Sequence, residues 1–310
     1  MKQNKLEPSR RTVLTSMLAF GLGSALGPGP LLAAARPLTK AIPVSGEALP
    51  VIGMGTWITF NVGEDAALRE QRRGVLQTFF DRGGGMIDSS PMYGSSEEVI
   101  GYCLARIENT DSLFAATKVW TPTHWLGVRQ MEASEELWGT QRFDLMQIHN
   151  LLDWEAHLET LLEWKAEGRL RYIGITTSHG RRHDEFLQVM AEQPLDFVQF
   201  TYNILDRRAE QRLLPLAAER GQAVIVNRPF RRGALIDGLA GKPLPAWAQE
   251  IDCANWAQFL LKFIVSHPAV TCAIPATSRV DHMEENMGAA YGRLPDAKMR
   301  ERMVRYVESL

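Results

Sequence analysis

The chain has 310 residues, 45% of them hydrophobic and 23% charged, with 34 Lys and Arg against 36 Asp and Glu for a formal net charge of −2. That composition excludes a disordered chain, a collagen-like chain and a polytopic membrane protein, and it lacks the basic excess of a nucleic-acid-coating surface, so no nucleic-acid partner is expected. Three scattered cysteines, Cys103, Cys253 and Cys272, with no CxxC pair, suit neither a disulfide scaffold nor a zinc knuckle.

The N-terminus reads as a separate object. Lys2 and Lys5 lead to Ser9-Arg10-Arg11-Thr12-Val13-Leu14, and an uncharged, Gly-rich apolar run from Met17 to Ala35 follows, ending in Ala33-Ala34-Ala35 before Arg36. A basic start, a short apolar middle and a small-residue end are the parts of a secretory signal peptide. The paired arginines resemble those of a twin-arginine signal, a resemblance that implies export of an already folded protein. A membrane anchor or buried helix is disfavoured by Gly21, Gly23, Gly27, Pro28, Gly29 and Pro30. The expectation is a signal over 1–35, a mature body over 36–310, the export machinery as a partner, a periplasmic location, and no stable membrane insertion once the signal is removed.

From Leu49 onward, short apolar runs alternate with amphipathic segments. The runs are Val51–Gly55, Met86–Asp88, Leu113–Val119, Leu145–His149, Tyr172–Thr176, Phe197–Tyr202, Ala223–Asn227 and Val270–Pro275. Short β-rich runs without polar alternation predict strands covered on both faces, as in a parallel sheet. Leu158, Leu161, Leu162 and Lys165 keep helical spacing and stop at Gly168, and Phe259, Leu260, Phe263 and Ile264 do the same before His267-Pro268. Glu185–Gln193, Ala209–Arg220 and Lys298–Leu310 complete the helical set. Eight strand-helix units predict a single (β/α)8 TIM barrel or an open doubly wound sheet. The barrel is preferred because no Gly-x-Gly-x-x-Gly turn follows the first strand, where Gly53-Met54-Gly55 leads into Thr56-Trp57.

Barrel chemistry sits at the carboxyl ends of the strands. Those ends carry Thr56-Trp57, Asp88, Lys118, His149, Thr176-Thr177, Gln199, Asn227-Arg228 and Thr277-Ser278-Arg279. Charges facing a barrel interior need partners, and Asp88 and Lys118 on adjacent strands are expected to neutralise one another. In the loop Ser89–Glu97, a turn built on Pro91 and Gly94 holds Tyr93 near the strand end, with Ser95 or Ser96 expected to cap the next helix. Singly, each of these residues has an ordinary structural reading as a cap, a surface lysine, a satisfied polar group or packing; together at successive strand ends they point to catalysis.

Asp88, Met92-Tyr93-Gly94 with Ser96-Glu97, Lys118 and His149 resemble, in order and separation, the catalytic tetrad of the aldo/keto reductase family. The resemblance runs along the mature chain, through Gly53-Met54-Gly55-Thr56, Gln199 with Tyr202-Asn203, and Ile274-Pro275 with Glu285-Asn286. It implies an oxidoreductase that reduces a small-molecule aldehyde or ketone by hydride transfer from a nicotinamide, without a metal. In that scheme Tyr93 is the general acid, Lys118 lowers its pKa, Asp88 holds Lys118, and His149 orients the carbonyl. NADP rather than NAD is the expected cofactor. The resemblance places it against Gly55, Thr56, Thr176, Thr177, Gln199, Asn227, Arg228, Pro229, Thr277, Ser278, Arg279, Glu285 and Asn286. Trp57, Trp120 and Asn150 are expected to wall the substrate pocket, although packing serves the two tryptophans equally well.

The chain departs from the family at several contacts. Thr176-Thr177 stands where Ser-Asn is usual, and Asn227-Arg228-Pro229-Phe230 where a stacking tyrosine is common. Ala276 and His282 occupy places that many members fill with Lys and Arg. Arg231-Arg232-Gly233 suits either a pyrophosphate clamp or a solvated basic patch. Two other readings stand beside the reductase: a nicotinamide-binding sensor with little turnover, and a barrel of different chemistry built on Asp88 and Glu97.

Overall fold

The computed structural model describes residues 36–178, 180 and 182–310; residues 1–35, on which the export signal is expected, lie outside the described residues. The body opens with an antiparallel hairpin of β1 (Thr39–Ala41) and β2 (Ala48–Pro50). Eight strands follow: β3 (Met54–Gly55), β4 (Met86–Asp88), β5 (Phe114–Val119), β6 (Phe143–Ile148), β7 (Leu170–Thr176), β8 (Phe197–Thr201), β9 (Ala223–Asn227) and β10 (Cys272–Ala273). They lie side by side in chain order, each parallel to the next. The amides of Gly53 and Gly55 donate to the carbonyls of Ala273 and Pro275 at 2.9 and 3.1 Å, so the first strand closes on the last. The fold is a (β/α)8 barrel.

The helices are α1 (Ala66–Asp81), α2 (Ser96–Leu104), α3 (His124–Trp138), α4 (Trp154–Ala166), α5 (His183–Glu192), α6 (Leu213–Arg220), α7 (Ala234–Leu239), α8 (Trp256–Val265), α9 (Val280–Gly288) and α10 (Ala297–Glu308). Local chemistry sets their starts. Asp65, Asn255 and Asp296 accept from the amides of Leu68, Gln258 and Met299 and cap α1, α8 and α10. In α1 the buried Val75, Leu76, Phe79 and Phe80 form the stripe that packs on the sheet.

The period-2 alternation of the strands divides the core. Outward residues such as Ile87, Ala115, Met146, Ile173 and Val198 pack under the helices. Inward residues, among them Met86, Phe114, Leu145, Tyr172 and Phe197, fill the lumen, and Ile42 and Leu49 of the hairpin region join them. Nearer the carboxyl ends of four of these strands the inward positions change character: Asp88, Lys118, Gln147 and Gln199 form a buried polar layer.

The strand reading from sequence holds to within a few residues except at the seam, where Val51–Gly55 and Val270–Pro275 contract to two-residue strands. The remaining seam contacts are isolated bridges between Ile52 and Ala273 and between Gly55 and Ala276, and Pro275 has no amide proton to give. His149 also leaves its strand and opens the next turn.

The contact of α2 with α3 depends on the small size of Gly101, where an added Cβ would fall 1.9 Å from the Leu137 carbonyl oxygen. Gly101→Ala is expected to lower the urea midpoint, at unchanged m, by the equivalent of about 1–3 kcal/mol or more, as read from equilibrium unfolding.

Candidate active site

The floor of the site is the polar layer. Lys118, with 0% of its surface exposed, donates to Asp88 Oδ2 and to the Ser89 carbonyl, both at 2.6 Å. Asp88 Oδ1 accepts from Gln147 Nε2 and Gln199 Nε2, each at 2.9 Å. Every oxygen of this buried carboxylate is therefore matched, which a charge in a barrel lumen requires. Burial by itself would push the Lys118 ammonium down, but Asp88 and Tyr93 beside it outweigh that and hold it above the ordinary lysine value. Gln147 was not singled out in the sequence; its inward alternation with Leu145 is the signal that finds it.

Tyr93 comes from the loop after β4. A turn at Pro91–Tyr93 follows Ser90, whose carbonyl accepts the Tyr93 amide at 2.9 Å. Gly94 then adopts φ +63°, and a Cβ there would lie 2.4 Å from Asn61 Oδ1. The expected serine cap is not made: Ser95 precedes α2, but its hydroxyl accepts from Gly63 and donates to Asn61 Oδ1, while Ser96 Oγ donates to the Tyr93 carbonyl at 2.8 Å. These ties bind the Tyr93 loop to the loop after β3. Lys118 Nζ lies 5.1 Å from the Tyr93 ring centroid, and the Tyr93 and His149 rings meet edge to face at 5.7 Å. Burial raises the Tyr93 phenol above its ordinary value, and the opposing effect of Lys118 is the smaller of the two. Lys118 lowers the phenol's pKa as expected, but burial outweighs it and the net shift is upward.

His149 starts a distorted turn in which Asn150, Leu151 and Asp153 all take positive φ, at 54°, 56° and 48°. Such backbone costs on the order of 1–3 kcal/mol per residue and persists only where neighbours dictate it. Here the Asn150 amide donates to Thr176 Oγ1 at 3.1 Å, and Asn150 Oδ1 accepts from the Ser178 amide at 3.2 Å. Burial, and then Lys118, hold the imidazole well below its ordinary pKa of 6.5, so it is neutral.

Above this floor opens a cavity of about 710 Å³. Its wall includes Asp88, Tyr93 and His149, and of the expected cofactor and substrate residues it includes Gly55, Thr56, Trp57, Asn150, Thr176, Gln199, Asn227, Arg228, Pro229, Thr277, Glu285 and Asn286. Gln199, however, has its amide turned to Asp88 and Gln147.

Four of the expected residues lie outside the cavity wall. Trp120 is 41% exposed and stands off the wall. Thr177 is buried behind the wall, where its carbonyl accepts from Asn227 Nδ2. Ser278 uses its carbonyl on Arg72, and Arg279 pairs with Asp281; neither lines the cavity. The sequence reading missed Ile58, Met92 and Phe230 on the wall, because loop residues carry no periodic signal. Arg232, read as clamp or solvated patch, lies over the Trp57 ring at 4.3 Å and joins the loops after β9 and β3.

The aldo/keto reductase family model matches residues 51–302. The chain belongs to the aldo/keto reductase family. As such it is an oxidoreductase. Among its relatives, the methylglyoxal reductase YeaE of Escherichia coli is 26% identical over 266 residues, covering 84% of this chain and 92% of that one. An NADH-specific methylglyoxal reductase of the same organism is 27% identical over 249 residues, covering 68% and 73%. An aldo/keto reductase of Klebsiella pneumoniae, solved with NADP and acetate, superposes with a TM-score of 0.68 at 26% identity, covering 84% and 93%.

The buried neutral His149 has a consequence for stability. In the unfolded chain it titrates near 6.5, whereas the folded state resists protonation. The unfolded state therefore binds the extra proton as pH falls through 6.5, and stability present above that pH is lost below it. Between pH 7 and 5, urea unfolding of His149→Gln is expected to show a shallower loss than the parent, by at most about 1.4 kcal/mol per pH unit. Equal slopes would place the titration on another group.

Proposed function

We propose that this oxidoreductase reduces aldehydes and ketones to alcohols with NADPH, using Tyr93 as general acid and His149 as the donor that orients the carbonyl. The observation that carries this reading is the convergence of a phenol, a neutral imidazole and a matched Lys118–Asp88 pair at one cavity.

The wall suits a dinucleotide. Arg228 and Arg232 offer positive charge, Asn227 and Asn286 offer amides, and Glu285 offers a carboxylate for hydroxyl or amino groups. Thr59, also on the wall, carries a buried hydroxyl oxygen with no partner among the described residues. The Klebsiella neighbour carries NADP, which supports NADP as the cofactor here, while the NADH-specific relative supports NAD as the competitor to test. When bound, the reduced nicotinamide supplies the hydride, which no side chain can.

The protein supplies the rest. A carbonyl oxygen placed between Tyr93 and His149 receives the phenol proton as negative charge develops on it. The Lys118 ammonium stabilises the phenolate left behind, and Asp88 keeps that ammonium in place. A phenol held above its ordinary pKa stays protonated, and so loaded as a donor, throughout the neutral range. Trp57, Met92 and Ile58, the last 63% exposed, give the substituent of the carbonyl an apolar rest at the mouth.

Export is proposed on the Arg10-Arg11 leader alone, with the twin-arginine machinery as partner and the periplasm as destination. Replacing both arginines by lysine should retain a full-length protein in the cytoplasm on cell fractionation; unchanged release would remove the reading.

Fluorescence titration with NADPH and NADH, beside steady-state reduction of an aldehyde and quinone panel, tests the reaction. Tyr93→Phe is expected to lower kcat about 10²–10⁴-fold with nucleotide Kd unchanged. Binding without turnover in the parent protein would instead make the barrel a cofactor sensor, and no binding would end both readings.

A further inference from the structure

Ser90 stands between the two groups that would meet the substrate oxygen. Its carbonyl takes the Tyr93 amide at 2.9 Å, and its hydroxyl lies 2.9 Å from His149 Nδ1. The same hydroxyl accepts the Met92 amide at 3.2 Å, and the residue is 0% exposed.

A hydroxyl has one proton to give and two lone pairs to offer. The Met92 amide occupies one lone pair and cannot accept. If His149 carried its proton on Nδ1 and donated to Ser90, the Ser90 hydroxyl proton would be buried with no acceptor among its hydrogen-bonded neighbours. Leaving a buried donor unmade is costly, whereas reversing the bond satisfies both groups. We infer that Ser90 is a positioning residue: it donates to His149 Nδ1 and so fixes the imidazole as the Nε2–H tautomer, with its one proton available to the cavity that His149 lines. Burial and Lys118 keep the ring neutral, so there is a single N–H to place. The alternative tautomer would turn a lone pair toward the carbonyl oxygen and repel it. Through its carbonyl, Ser90 also ties the backbone of Tyr93 to the same point, so acid and orienting donor share one anchor. The consequence for turnover rests on the reductase reading; the tautomer assignment does not.

Long-range proton–nitrogen NMR of the histidine-labelled full chain at pH 7.5, with His149 identified by its absence in His149→Gln, reads the tautomer directly. In the parent protein Nδ1 is expected to be the unprotonated, pyridine-type nitrogen. In Ser90→Ala the His149 signals should move toward the Nδ1–H form. In the same variant kcat should fall roughly tenfold, the low end for an unmade buried bond, with carbonyl KM and nucleotide Kd little changed. Ser90→Thr, which keeps the hydroxyl, should retain the parent pattern. A protonated Nδ1 in the parent protein, or an unprotonated Nδ1 that persists in Ser90→Ala, overturns the assignment whatever kcat does. Absence of carbonyl reduction by a parent protein with the expected tautomer would sink the reductase reading alone.

Discussion

The Lys118–Asp88 ion pair is the constraint on which the site depends. Two charges inside a barrel lumen survive only if each is matched, and the match here draws residues from four strands: Asp88 from β4, Lys118 from β5, Gln147 from β6 and Gln199 from β8. Because these side chains alternate with the apolar lumen layer below, their height in the barrel is set by the strand register. Tyr93 and His149 are then built on the rim of that layer. The pair thus serves two ends at once, satisfying the interior and placing an ammonium beside the phenol.

The rim is held by short polar struts in place of a second hydrophobic core. Asn61, Ser95 and Gly63 bind the loop after β3 to the Tyr93 loop, and Asn150, Thr176 and Ser178 bind the turn after β6 to the end of β7. Each strut fixes backbone that would otherwise be strained or mobile, including the three left-handed residues behind His149. The Arg232–Trp57 contact extends the same device across the cavity. Rigid strands with loops pinned near their ends are how a barrel holds reacting groups to fractions of an ångström.

Much of this was legible beforehand for a definite reason. Strands buried on both faces must be apolar and short, helices between them must carry one apolar stripe, and the eightfold alternation follows. Asp88, Lys118 and His149 stood out because a charge or imidazole that closes an apolar run is unusual. Gln147 did not, since an amide inside a run looks like an ordinary polar residue until its two partners are known. Trp120, two residues beyond Lys118 and past the end of β5, was read as a candidate for the pocket wall, yet its side chain is 41% exposed and lies off the cavity. Arg279, expected near the cofactor phosphates, pairs with Asp281 two residues on and lies off the cavity wall.

The sequence by itself determined the barrel, its strands and the identity of the groups at their ends, because periodicity and the cost of burying charge are local and read along the chain. The tertiary structure alone decided the sign of the Tyr93 shift, the donor that meets His149 and the side chains that reach the cavity. Each of those depends on how far a group is from water and which distant residue faces it, and neither quantity is written in any one segment.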